Sequence, residues 1–392
     1  IFESQLERNV GTFKMAVVYS LDSTKAFSGV WKAWEISGTR QVGSFKGRYA
    51  IFQIFILITV TICFPISLTN KIFLEDDIQV ILADISMAMT CNAYSLKFLI
   101  IFFSQKNRAI VEILRKLDQK IQSPVEQQRI EKSIKFCRQL FYGYFTAFFI
   151  SVVFFYSGAL FNGKLILDGW FPFDISKKGN YLIAITYQMF AGVMVVTQNV
   201  ACDSFPTIYI SMLTAHIDAL GLRVARIGWD SKKSNLLKAY NQLVDCVKDH
   251  RDVLRLFEEI NSMVRSTLFV QLTVTALILC TGAVNLLFFT TELVSIFAYA
   301  TYLFCVVLEV LPACYSMSGI SVYNARLTDS IFACNWMDQD LRFRKLLIIF
   351  MQRTQKDLVI FAGHIVPVSL KTFFAILKFS FSLFTVLSKL KK

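Results

Sequence analysis

Residues 49–69 read Tyr49-Ala-Ile-Phe-Gln-Ile-Phe-Ile-Leu-Ile-Thr-Val-Thr-Ile-Cys-Phe-Pro-Ile-Ser-Leu-Thr69, without a single Asp, Glu, Lys or Arg. About 20 mostly apolar residues suffice for a helix to cross a bilayer core, so this stretch is a candidate membrane span. Outward from it the pattern repeats. Further candidates run near Ile78–Phe103, Gln139–Phe161, Tyr181–Ser204, Thr267–Leu286, Ser295–Ser316 and Ile365–Leu387. Backbone groups in lipid must be satisfied within the segment, which makes the expected fold an all-α, seven-span membrane protein.

The flanking charges give its orientation. Counted in chain order, the segments outside the spans hold 7, 1, 9, 3, 9, 0, 6 and 3 Lys plus Arg. Alternate segments thus carry 31 against 7. Positive loops of up to about 60 residues stay cytoplasmic. The N-terminus is therefore expected inside and the C-terminus outside. The expected organisation is a cytoplasmic segment over 1–48, spans 1–4 over 49–204 and a cytoplasmic helical extension over 205–266. Spans 5–6 follow over 267–316, then a second cytoplasmic segment over 317–364. The chain ends with span 7 and an extracellular C-terminus over 365–392. The two cytoplasmic extensions together read as an anchor region.

Composition excludes several classes. The chain is 55% hydrophobic with 38 Phe, and its net charge is +13. In a soluble protein such a charge would suggest nucleic acid. Here the excess lies on one side of the spans, where orientation and contact with anionic membrane lipids account for it; no nucleic-acid partner is expected. Residues 1–48 carry charges throughout, and no cleavable signal peptide is expected. None of the nine cysteines falls in the short external loops, so no external disulfide framework is expected. Three histidines without a Cys/His cluster give no metal site. No Walker loop, zinc helix or nucleophile elbow is present, so neither an enzyme nor a cofactor is expected.

The cytoplasmic connections look helical. Ile110, Ile113, Leu114, Leu117 and Ile121 follow amphipathic spacing, ended near Pro124. Leu236, Tyr240, Leu243, Val247, His250, Leu254 and Phe257 alternate steps of four and three, a helix-pairing stripe. Leu346, Leu347, Ile349 and Phe350 form a third apolar element, framed by basic residues. The external loop Asn162–Asn180 holds three glycines and Pro172 and reads as a turn-rich loop or lid.

Polar groups inside spans are the default functional candidates. Asp84 lies near the outer end of span 2. Lys97, near its inner end, is expected to snorkel to the headgroups. Asp203 reads as an interfacial or capping residue, and Glu309 needs a cationic or hydrogen-bonding partner, for which Lys371 is one choice. Lys371, Lys378 and Thr385 share one face of span 7, and Ser382, Thr385 and Lys389 step along a similar side. A lipid-facing helix would not keep that stripe, so it faces protein or water. Tyr299 and Tyr302 of span 6, Phe154, Phe155 and Gly158 of span 3, and Tyr187, Met189 and Phe190 of span 4 lie at comparable depth. They suit a pocket for small apolar ligands, and equally an interfacial belt or core packing.

The C-terminal third is specific enough to resemble a known family. Ser330 and Trp336, then Gly363, then Pro367-Val-Ser-Leu-Lys-Thr-Phe373 and Leu377-Lys-Phe-Ser-Phe-Ser-Leu-Phe-Thr-Val-Leu387 are similar to the insect odorant receptors. Weaker matches are Trp170-Phe-Pro-Phe-Asp174, Asp203, His250 and Cys280; Phe381 stands where many members have Tyr. The Thr-Tyr…Gln-Phe ending of gustatory receptors is missing. The connection His216–Arg265, about 50 residues, is much shorter than in the shared co-receptor. The chain thus resembles an odour-tuning subunit. The resemblance implies a ligand-gated, non-selective cation channel in the plasma membrane of olfactory sensory neurons. It further implies a hetero-tetramer with co-receptor subunits around a pore lined by span 7. Small volatile organic ligands are implied in the outer half of spans 2, 3, 4 and 6. The family's gate positions fall on Val386 and Leu390, and Lys389 stands where the co-receptor has Gln.

A G-protein-coupled receptor is the main rival. It is opposed by the inside N-terminus and by the absence of Asp-Arg-Tyr after span 3 and of Asn-Pro-x-x-Tyr in span 7. A gustatory-type receptor and a transporter are two further rivals, and the lack of an internal repeat counts against the transporter.

Overall fold

The computed structural model describes residues 21–38, 47–104, 107–162, 165, 167–229, 236–288 and 293–390. A short 3-10 turn, Ser23–Phe27, leads into α1 (Ser28–Ile36). The opening apolar stretch forms α2 (Gly47–Ile56), a wider π-helical stretch (Leu57–Cys63) and α3 (Phe64–Leu74). Pro65 stands at the start of α3 and has no N–H for the carbonyl one turn earlier, which explains why the register change lies just before it. Then come α4 (Ile78–Phe103), α5 (Asn107–Asp118), α6 (Pro124–Asn162), α7 (Lys178–Ala225), α8 (Leu236–Phe288), α9 (Leu293–Phe332) and α10 (Leu341–Thr354). The antiparallel pair β1 (Phe361–Ala362) and β2 (Val366–Pro367) precedes α11 (Leu370–Leu390).

Among the described residues, five stretches are long and apolar enough to cross a membrane: Tyr49–Leu74, Asp84–Phe103, Lys178–Ala225, Leu236–Leu286 and Ala300–Phe332. They cover the expected spans 1, 2, 4, 5 and 6. Helices α6 and α11 run through the segments expected as spans 3 and 7.

Two expectations are corrected. Pro124 does not end the amphipathic helix. That helix, α5, stops at Asp118, and Pro124 begins α6, a position where its missing N–H costs nothing. Span 7 does not start as a helix at Ile365. Gly363 and His364 both have positive φ, 58° and 64°, which turns the chain back on itself so that Ala362 pairs with Val366. Among the described residues this ladder is the one strand pairing in a helical fold. Gly363 is needed there for a second reason: a Cβ would lie 2.6 Å from the Phe269 ring.

At one end of the bundle the four Lys/Arg-rich segments meet in one packed body. Ser23 donates to Asp118 Oδ1 at 2.6 Å and lies 3.1 Å from His216 Nε2. Since the serine proton goes to the carboxylate, His216 carries its proton on Nε2 and donates to Ser23 Oγ. Around this clip, Lys116 pairs with Asp252 at 2.7 Å, and Arg223 pairs with Asp249 at 2.6 Å and approaches Glu126. Asn335 N–H donates to the Ile227 carbonyl at 3.0 Å, and Asn324 donates to the Thr354 carbonyl at 2.6 Å. Beneath these bonds lie Phe27, Leu114, Ile130, Tyr209, Leu243, Leu256 and Phe350, all buried. His250 of the expected stripe is buried against the Phe350 ring, with centroids 5.3 Å apart. Burial holds both histidines neutral: the pKa of His216 falls to about 4, with Arg223 adding to the effect, and that of His250 to about 4 beside Arg353.

Candidate functional site

The most polar part of the bundle interior joins four helices. Lys97 of α4 is 1% exposed. Its three ammonium protons go to Asp203 Oδ1 at 2.6 Å, Asn199 Oδ1 at 3.1 Å and Gln271 Oε1, which satisfies the group fully. Asn199 and Gln271 then turn their amide N–H groups to Glu309, at 3.2 and 3.1 Å, and Tyr94 O–H donates to the same carboxylate at 2.9 Å. Two amides therefore bridge a lysine and a glutamate, tying α4, α7, α8 and α9 together.

This corrects two expectations and answers a third. Lys97 does not snorkel, because Asp203 lies on the neighbouring helix and pairing inside avoids the reach to the headgroups. Asp203 is the ion-pair partner rather than an interfacial cap. Glu309 has the hydrogen-bonding partners it needs in three neutral donors, whereas Lys371 is exposed elsewhere. Asn199 and Gln271 are not among the candidates read from sequence. A signal for them exists: each is a carboxamide in an otherwise apolar span.

Tyr302 of α9 faces α4, its hydroxyl 2.5 Å from Thr90 Oγ1 and 3.2 Å from the Ser86 carbonyl. Ser86 also bonds Thr281 of α8 at 2.9 Å. Tyr187 of α7 looks elsewhere. Its hydroxyl donates to the Thr59 carbonyl at 2.7 Å, in the π-helical stretch, and its ring meets Phe64 and Phe171 edge to face. Ala88 and Cys91, on the side of α4 away from Ser86 and Thr90, pack with Phe64, Leu68, Ala191 and Val195 between the two tyrosines. The structure thus sets Tyr187 and Tyr302 on opposite faces of α4 and does not bring them together.

Met189 is half-buried and Phe190 is exposed. Asp84 is half-buried and within electrostatic range of Asp168, Lys71 and Glu75. The side chains of Phe154, Phe155, Gly158, Tyr299 and Leu390 lie outside the described residues. On α11, Lys371, Lys378, Ser382, Val386 and Lys389 are exposed, and Thr385 is half-buried with its hydroxyl on the Phe381 carbonyl. The opposite face buries Phe373 and Ser380, with Ser380 Oγ 3.9 Å from Cys280 Sγ. Helix α11 is thus buried on one side and carries a mixed exposed side, with Phe374, Phe379 and Phe381 beside the lysines.

The sequence matches the family described as 7tm Odorant receptor over residues 77–381. The chain belongs to the odorant receptor family. This odorant receptor is 28% identical to Odorant receptor 59a of Drosophila melanogaster over 95% of the chain and 99% of that protein. It is 27% identical to Odorant receptor 2a of the same fly over 95% and 98%. Its fold is similar to that of the insect olfactory receptor OR5 from Machilis hrabei, with a TM-score of 0.76 at 15% identity, over 91% of this chain and 96% of that one. The same receptor in complex with eugenol gives a TM-score of 0.76 over 92% and 97%.

Proposed function

We propose that this odorant receptor is the odour-tuning subunit of a ligand-gated, non-selective cation channel. In this reading it crosses the plasma membrane of olfactory sensory neurons seven times, with the N-terminus and the packed Lys/Arg-rich end in the cytoplasm. It assembles with co-receptor subunits into a hetero-tetramer. A small volatile ligand binds in the outer half of the bundle, beside Tyr302 and the α4 hydroxyls of Ser86 and Thr90. Helix α11 lines the shared pore, with Val386 and Leu390 at the gate and Lys389 at its mouth. The segments 205–266 and 317–364 form the anchor in this reading.

Family membership carries this reading. The polar residues of α11 support it, because Lys371, Lys378, Ser382 and Lys389 are exposed among the described residues. A ligand opens such a channel only if it binds the open state more tightly than the closed one. The test is co-expression with a family co-receptor, a screen of volatile compounds and current recording. Ligand-evoked cation current that needs both chains supports the reading. Signalling that persists with cation flux blocked overturns it in favour of a G-protein-coupled mechanism.

A further inference from the structure

The structure assigns a second small-molecule site to the cavity between the first membrane helix, the loop before α7, and the outer part of α7: a seat for a compact apolar ligand drawn from the bilayer, separate from the Tyr302 side of α4. This rests on the reading of the chain as a membrane receptor.

The cavity measures about 450 Å³, within the range of roughly 300–1,000 Å³ typical of ligand pockets. One wall is Cys63, Ile66 and Ser67; another is Ile183, Ala184 and Tyr187; the loop closes it with Trp170 to Phe173. Three observations mark it as a built site rather than a gap. The loop is clamped by its backbone: Trp170 N–H donates to the Ser67 carbonyl at 3.0 Å, and Ser67 O–H donates back to the Trp170 carbonyl at 2.7 Å. Gln188 fixes the loop one turn further in, donating to the Leu167 carbonyl at 2.6 Å. The tyrosine wall is pinned on the π-helical stretch through Thr59, the kind of helix irregularity that often marks functional positions.

The lining indicates the ligand's chemistry. Both hydroxyl protons in it are already committed, Ser67 to Trp170 and Tyr187 to Thr59. The remaining surface is aromatic and aliphatic, with Phe171 standing at 86° to the Tyr187 ring. A hydrocarbon or aromatic ligand that needs no hydrogen bond is the match. Ile66 and Ile183 of the lining are exposed, next to exposed Ile62 and Leu182, an apolar surround that favours entry from lipid. The occupant is compact rather than a lipid tail. The helical walls extend only from Cys63 to Ser67 and from Ile183 to Tyr187, about 6 Å along each axis, whereas a tail runs through about 15 Å, half the bilayer core.

The test uses the full chain in lipid nanodiscs, photolabelled with a phenyl diazirine and mapped by mass spectrometry. The expected result is saturable labelling of the Trp170–Phe173 and Ile183–Tyr187 peptides, lost with excess toluene. Labelling of the exposed Phe304, on α9, should stay unsaturated and uncompeted. Ala184→Phe fills the cavity and should abolish the saturable component, as should Ile183→Trp at the mouth. Tyr302→Ala should leave it intact. Competition on the unaltered protein decides the matter even where a variant fails to fold. Labelling at the cavity that is no more competable than at Phe304 overturns the proposal, as does its loss with Tyr302→Ala. Because binding is read without current, failure here is distinguishable from failure of the channel reading.

Discussion

Lys97 Nζ lies 2.6 Å from Asp203 Oδ1 with both side chains buried among apolar helices, and the two amides that complete the lysine's shell also hold Glu309. Removing one partner strands a buried charge, which costs about 3–5 kcal/mol, whereas replacing both partners with apolar groups is far milder. Lys97→Met alone and Asp203→Leu alone should each sharply reduce thermal stability and surface delivery. The double variant should recover much of the loss. Melting of purified protein and surface staining check this; a double variant worse than either single one would refute the pairing.

Tyr302→Ala removes a ring and a hydroxyl that contacts Thr90 and Ser86. A ligand contact of the ring or hydroxyl worth about 1.4 kcal/mol corresponds to roughly a tenfold shift in ligand potency. The variant should reach the surface normally and show shifted potency or altered ligand rank order. Concentration–response curves on the co-expressed pair are the measurement, and unchanged curves across the ligand panel would exclude Tyr302 from the site.

Lys389 is exposed on α11. A fixed cation at the mouth of a cation pathway repels its traffic within about 8 Å, the Debye length at physiological salt. Lys389→Gln should therefore raise cation current through channels containing this subunit, and the gain should be largest when the chain is expressed alone. Robust ligand-evoked current from the unaltered chain without a co-receptor would contradict the role given to Lys389.

His216 makes stability pH-dependent with a defined sign. Its pKa is about 4 in the fold, against 6.5 when solvated. The folded state binds fewer protons, so this contribution is complete above 6.5 and is lost as the pH falls from there towards 4. Burial moves Asp118 the other way, upward, with its bonds to Ser23 opposing; that partly offsets the loss at the acid end. His250 adds a term of the same sign as His216. His216→Gln should flatten the fall in melting temperature over this window, and an unchanged slope would show that the histidine takes no part in it.

Gly363→Ala should destabilise the turn before α11, since it combines a positive φ with a Cβ 2.6 Å from Phe269. A lower melting temperature with unchanged ligand rank order is expected.

Much of the helical framework was legible because hydrophobic runs and their periods are local. The expected span 2 and α4 share the limits Ile78 and Phe103, and Ile110, Ile113, Leu114 and Leu117 are buried along the predicted face. Ile365–Leu370 misled because an apolar run does not reveal whether it is strand or helix; the answer lay in the left-handed backbone at Gly363 and His364. The partners of Lys97 were not legible, since Asn199, Asp203 and Gln271 come from helices more than 100 residues away. The placement of Tyr187 was hidden for a similar reason. Its depth follows from sequence, but the direction it faces depends on how α7 is rotated against α3 and α4.

The clip of Ser23, Asp118 and His216 closes over 193 residues of chain. Its three groups leave the ribosome at widely separate times, and the serine cannot find both partners until more than half the protein has been made. Until then the N-terminal segment has an incomplete berth, with Phe27 waiting for Tyr209, whose ring it finally meets at 4.5 Å. Assembly of this end is therefore a late event in synthesis. A nascent chain halted before α7 would display an open apolar face to the cell's quality-control machinery.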